Sequence, residues 1–148
     1  MEPNYSTFFF FGILIVLGQI NVHRIERFLK PHCNPWVPNL EKLVVKSCIR
    51  LIEVHPSVVV HKRLTLLDLE GCKNLRCLPS KFEMESLEIL NLSNCSKINR
   101  IPKFMGNTEH LSKLHLDGTA IMKLPSSVEH LTNLAALHLR DCKNLVSS

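Results

Sequence analysis

From Leu40 onward the chain repeats itself, and this constrains its fold more than any other feature. The segments LEKLVVKSCIRL, LTLLDLEGCKNL, LEILNLSNCSKI, LSKLHLDGTAIM and LAALHLRDCKNL start at positions 40, 64, 87, 111 and 134, a spacing that alternates 24, 23, 24, 23. Each copy carries more apolar side chains than one short segment can hide. Copies at a constant period hide them against one another, so the chain is expected to stack as a solenoid.

Within each copy the spacing is that of the leucine-rich repeat, L-x-x-L-x-L-x-x-[NC]-x-L. The central pairs Leu43/Val45, Leu67/Leu69, Leu90/Leu92, Leu114/Leu116 and Leu137/Leu139 alternate with variable residues, the period of a half-buried strand. Further on comes a small side chain: Cys48, Cys72, Cys95, Thr119 or Cys142. A small, weakly polar group suits the tight corner where the chain leaves the strand. The second halves of the first four copies read VHPSV, LPSKF, IPKFM and LPSSV. Proline suits the first position of a helical turn, where its missing N–H is not needed. Ser80 with Glu83, and Ser126 with Glu129, match a capping box. One short helical or 3₁₀ turn per repeat is predicted there, plugged into the core by Val58, Phe82, Phe104 and Val128. The fold class expected is an α/β solenoid: a horseshoe fragment with parallel strands on the concave face and short helical or 3₁₀ turns on the convex face.

Little else in the chain points to chemistry. At 148 residues it is one domain or part of one, since domains commonly hold about 100–200 residues. The net charge of +5 is spread along the chain without a run of like charges, so no nucleic-acid partner is expected. The five glycines are not spaced for a phosphate loop or a dinucleotide fingerprint. No nucleophile elbow or H-E-x-x-H appears, so neither catalysis nor a cofactor is expected. Four of the six cysteines fall at the repeat corner and no C-x-x-C occurs, so they read as buried reduced thiols and not as metal ligands. The glycosylation patterns at Asn4, Asn91 and Asn94 read as chance, because two of them lie on or beside a predicted strand.

A solenoid binds through the variable positions of its strands. The position between the strand leucines carries Val44, Asp68, Asn91, His115 and His138. The position after them carries Lys46, Glu70, Ser93, Asp117 and Arg140, and the position before them carries Leu66, Ile89 and Lys113. Asp68, Glu70 and Asp117 form an acidic middle with Lys46 and Arg140 near the two ends. Leu66 and Ile89 add a small apolar contact. Mixed charge of this kind suits a protein partner better than a phosphate backbone. His115 and His138 fall at the same position of adjacent copies, where neighbouring strands lie about 4.8 Å apart, a placement that suits a pH-sensitive or ligand-binding pair as well as plain solvated histidines.

The strings PNLEKL, LDLEGCKNL, LNLSNCSK, LDGTAI, LPSSVEHLTNL and LRDCKNL, over residues 36–148, resemble the leucine-rich-repeat region of plant intracellular disease-resistance receptors. The likeness is to the branch that carries a TIR domain and a nucleotide-binding switch domain. It implies a cytoplasmic recognition module whose partners are a pathogen effector, or a host protein that the effector alters, and the switch domain that the repeats restrain. The TIR and nucleotide-binding portions are absent from this sequence.

Residues 1–35 stand outside the repeat as an apolar N-terminal extension. An apolar run opens at Phe8 and closes at Ile20, 13 residues where a membrane-spanning helix wants about 20. It reads as a non-native or loosely packed extension, as a membrane anchor, or as a cleaved signal. Arg24, Arg27 and Lys30 follow the run, which in the anchored case keeps the repeats cytoplasmic. The sequence stops just after the fifth corner, leaving the Leu134, Leu137 and Leu139 edge open, so a C-terminally truncated piece is expected. Two further readings stand beside the immune module: a membrane-anchored or secreted receptor fragment, and a non-functional remnant.

Overall fold

The structure, a computed structural model, describes residues 40–106 and 108–146, together with the backbone of two strands nearer the N-terminus. The strands are β1 (Ser6–Phe10), β2 (Ile13–Leu17), β3 (Lys42–Lys46), β4 (Leu66–Asp68), β5 (Lys81–Phe82), β6 (Ile89–Asn91), β7 (Lys103–Phe104), β8 (Lys113–His115) and β9 (Ala136–His138). Seven of them form one sheet in the order β1-β2-β3-β4-β6-β8-β9, and β5 pairs with β7 in a second, two-stranded sheet. From β3 to β9 every neighbour in the large sheet is parallel and displaced by one repeat: Lys42 pairs with Leu66, Leu66 with Ile89, Ile89 with Lys113, and Lys113 with Ala136.

This register follows from the leucine spacing. In parallel strands a slip of one residue would turn the apolar set outward, so burial fixes the pairing. Leu43, Leu67, Leu90 and Leu114 are buried in successive strands, with Val45, Leu69, Leu92 and Leu116 beside them. The fifth rung is less covered: Leu134 and Leu139 are partly buried, and Leu137 is 37% exposed.

The corner is built from two devices. Four of the small residues donate to a carbonyl at the end of a strand. Cys72 Sγ reaches the Val45 carbonyl at 3.1 Å, Cys95 Sγ that of Leu69 at 3.1 Å, and Cys142 Sγ that of Leu116 at 3.0 Å, each on the preceding rung. Thr119 has a shorter side chain, and its hydroxyl donates instead to Leu116 of its own rung at 2.8 Å. Immediately before each corner stands a residue in the left-handed region: Ser47, Gly71, Asn94, Gly118 and Asp141. The reversal turns the chain into the corner while the residue's N–H still donates to the next rung, from Ser47 to Glu70 and from Gly71 to Ser93, both at 2.8 Å.

The opposite side departs from the sequence-based expectation of one helical turn per repeat. Pro56–Val60 and Ser126–His130 are 3₁₀ turns, but the two intervening segments form the paired strands β5 and β7. There Phe82 and Phe104 meet edge to face with ring centroids 6.2 Å apart, and both are buried. Pairing lets the two rings enter the core side by side, a gain that one isolated turn does not offer. Val58 is also fully buried, whereas Val128 is only partly so. Neither expected capping box forms. Ser80 precedes a strand, and the residue that caps the second turn is Pro125, with no side-chain hydrogen bond.

The fourth rung is one residue short at its corner. Ile121 follows Thr119 by two positions where Leu75 follows Cys72 by three, and it fills the same buried seat while Met122 is left 49% exposed. At the N-terminal end β2 runs parallel to β3, Ile13 opposite Lys42 and Leu17 opposite Lys46, and β1 pairs antiparallel with β2. Part of the apolar run is therefore strand. Among the described residues no helix is long and apolar enough to cross a membrane. The remainder of residues 1–35, including His32 and the start of the extension, and Cys33 lie outside the described residues.

Candidate functional site

The large sheet has a core face and a face directed away from the core, and the thirteen candidate residues are those the alternation puts on or beside the second. β3 to β9 bring them into three columns that cross the rungs. Register aligns Val44 with Asp68, Asp68 with Asn91, Asn91 with His115, and His115 with His138. Beside this column lie Leu66, Ile89 and Lys113, paired in the same register, the first two half-buried and Lys113 exposed. On its other side follow Lys46, Glu70, Ser93, Asp117 and Arg140, all half-buried or exposed.

The acidic middle is not as open as its sequence suggests. Asp68 is buried, with 8% of the residue exposed. Its Oδ1 accepts the Glu70 N–H at 3.1 Å, and Lys46 Nζ lies 3.6 Å from Oδ2. Lys46 also reaches Glu70 Oε2 at 3.3 Å, so a single cation spans both carboxylates. The negative charge of Asp68, then that of Glu70, raises the Lys46 ammonium above its ordinary pKa. Lys46 therefore covers the acids instead of standing apart from them at one end.

Asn91 uses the same device as Asp68, while Asp117 reaches across to the next rung. Asn91 Oδ1 accepts the Ser93 N–H at 3.0 Å, and Asp117 Oδ1 accepts the Arg140 N–H at 2.7 Å from the neighbouring rung. These bonds fix the side chains that flank the turn and satisfy backbone donors as the strands end. The rings of His115 and His138 lie with centroids 4.4 Å apart and planes inclined by 33°. Burial first, and the second imidazole next, lower the pKa of His115.

A groove of about 670 Å³ runs along the rim where the strands end, between Lys46, Glu70 and Lys73, with Gly71, Asn94 and Gly118 in its wall. The reading by columns missed this rim. Its signal was present in Gly71, Asn94, Gly118 and Asp141, residue types that tolerate the left-handed region, placed immediately before the small corner residue; Ser47 adopts the same conformation without that signal. The described residues contain no group of three or more His, Cys, Asp or Glu side chains that fits a metal ion. What the face offers chemically is a rigid set of charges, amides, imidazoles and a small apolar strip, held by a backbone that the core fixes.

No protein-family model matches the chain. Among solved structures, the leucine-rich-repeat protein LIC12759 of Leptospira interrogans aligns with 24% identity and a TM-score of 0.47, covering 75% of this chain and 28% of that one. The disease resistance protein RPP2A of Arabidopsis thaliana is 38% identical over 107 residues, 72% of this chain. The TMV resistance protein N of Nicotiana glutinosa is 35% identical over 132 residues, 88% of this chain, and the Arabidopsis disease resistance protein RPS6 is 34% identical over 109 residues. The chain spans 8%, 12% and 9% of the length of these three relatives. It is a leucine-rich-repeat solenoid whose homologues are plant disease-resistance proteins of the TIR type, matched over their repeats.

Proposed function

We propose that this chain is a protein-recognition segment of a cytoplasmic plant immune receptor. Its outward strand face contacts a pathogen effector, or a host protein that the effector has altered, and the same repeats restrain a nucleotide switch domain elsewhere in the receptor. One observation carries the reading. The inward positions of β3, β4, β6 and β8 are uniformly apolar and buried, while the central outward position at the same register changes from Val44 to Asp68, Asn91 and His115. Packing dictates the first set; the second is free to be shaped by a partner. The relatives named as disease-resistance proteins support the receptor context. The mixed charge of Glu70, Asp117 and Arg140 supports a protein ligand, because such patterns select a partner and its orientation more than they add raw affinity.

The test uses the complete receptor in plant cells. Glu70, Asp117, His138 and Arg140 are changed together to alanine, and the core leucines are left alone. A receptor that loses its response to its elicitor, or that signals without one, fits the reading. Normal response together with normal restraint sinks it.

A further inference from the structure

We propose that His115 and His138 form a two-histidine clamp for a divalent transition-metal ion of the zinc and nickel class. The strand register makes them direct partners on β8 and β9. Their backbones are thus held one strand spacing apart, about 4.8 Å, and both side chains leave the sheet on the same face. The rings already lie side by side, 4.4 Å between centroids and 33° between planes. Two imidazole nitrogens bound to one ion at about 2.0–2.1 Å each stand about 3 Å apart. Rotation about the side-chain bonds closes that gap without moving the sheet.

A neutral imidazole keeps the lone pair that a metal needs. Asp117 lies two residues beyond His115 and Lys113 two residues before it, so the charges flanking the pair on β8 are of both signs. No third ligand of the usual types stands with the pair among the described residues. The clamp therefore supplies two donors, water fills the other positions, and binding is of the open kind, unlike a closed four-ligand structural zinc site. Neutral imidazole selects ions late in the divalent series over magnesium or calcium, which prefer oxygen. The site does not depend on the recognition reading: it lies within one chain and needs no partner.

The test titrates the full chain with zinc chloride and, separately, nickel chloride. A Cys77→Ser background removes, as a competing donor, the one thiol that is exposed among the described cysteines. Calorimetry gives stoichiometry and affinity, and nuclear magnetic resonance of the imidazoles reports which rings respond. The expected result is one saturable ion per chain, with the His115 and His138 rings responding first. His115→Asn and His138→Asn keep a polar side chain on an exposed strand face, so circular dichroism should stay unchanged. Each should weaken binding about tenfold or more, as the loss of one of two ligands demands. Three outcomes overturn the proposal: no saturable binding up to about 1 mM metal, unchanged affinity in both single variants, or a response confined to other histidines.

Discussion

A β-carbon on Gly118 would stand 2.7 Å from the side-chain oxygen of Asn94 on the preceding rung. The same relation joins Gly71 to Ser47 Oγ, at 2.9 Å. Both glycines sit at positive φ, +69° and +75°, so each answers two demands, a left-handed backbone and space for a neighbour.

Gly118→Ala is therefore expected to cost about 1–3 kcal/mol, combining the left-handed penalty with the displaced amide. Asn94→Gly in the same chain should recover the steric part and leave the backbone part. Urea unfolding with an unchanged slope measures both variants. A double variant no more stable than Gly118→Ala alone would show that the amide contact is not what glycine serves.

Burial pushes the thiols of Cys72 and Cys95 up to about 12. The reactive form is the thiolate, so neither should be alkylated at neutral or mildly alkaline pH. Among the described cysteines Cys77 is the exposed one and should react before the others. Mass spectrometry of peptides after a timed iodoacetamide pulse reads this directly. Modification of Cys95 at the rate of Cys77, in folded protein, contradicts the buried corner.

Phe82 is fully buried against Phe104. Phe82→Ala should destabilise by about 3–5 kcal/mol, near the limit of what a small domain withstands. Val128→Ala, at a partly buried equivalent, should cost much less. Equal losses in thermal unfolding would mean that the β5–β7 pair contributes nothing beyond an ordinary 3₁₀ plug.

Lys46 gains positive-charge stabilisation from Asp68 and Glu70, so its folded pKa lies above the unfolded value. Its contribution is fully present at neutral pH, below the unfolded pKa of 10.5, and is lost as pH rises through the folded value. The side chain is 45% exposed, which screens the pair and keeps the contribution below about 1 kcal/mol. Lys46→Met should lower stability slightly at neutral pH and low salt, and the deficit should shrink at high salt or strongly alkaline pH. A deficit that grows with salt would rule out the ion pair as its source.

The rungs were legible in the sequence because leucines report burial directly: Leu43, Leu67, Leu90 and Leu114 occupy strand centres as their spacing demands. The corner thiols were legible for the same reason, as small residues at a fixed offset. The far side was less so. LPSKF and LPSSV look alike, yet the first forms β5 and the second a 3₁₀ turn, because a phenylalanine pair on adjacent rungs outweighs local proline chemistry. The face was legible as columns but not as an electrostatic surface. Lys46 and Asp68 stand 22 positions apart in sequence, and only the stacked rungs show that the first neutralises the second.

The rim residues alternate strictly: Ser47, Gly71, Asn94, Gly118, Asp141, side chain and glycine in turn. Each glycine yields its space to the rung before it. Rungs are thus matched as couples: without the Gly71 rung, Ser47 would lie directly beneath Asn94, whereas without the Asn94 rung two glycines would meet. Removal of two preserves the alternation. The room that a rim side chain has on one rung is thus set by the glycine of the next, so the fit of a repeat belongs to the pair and not to the single copy.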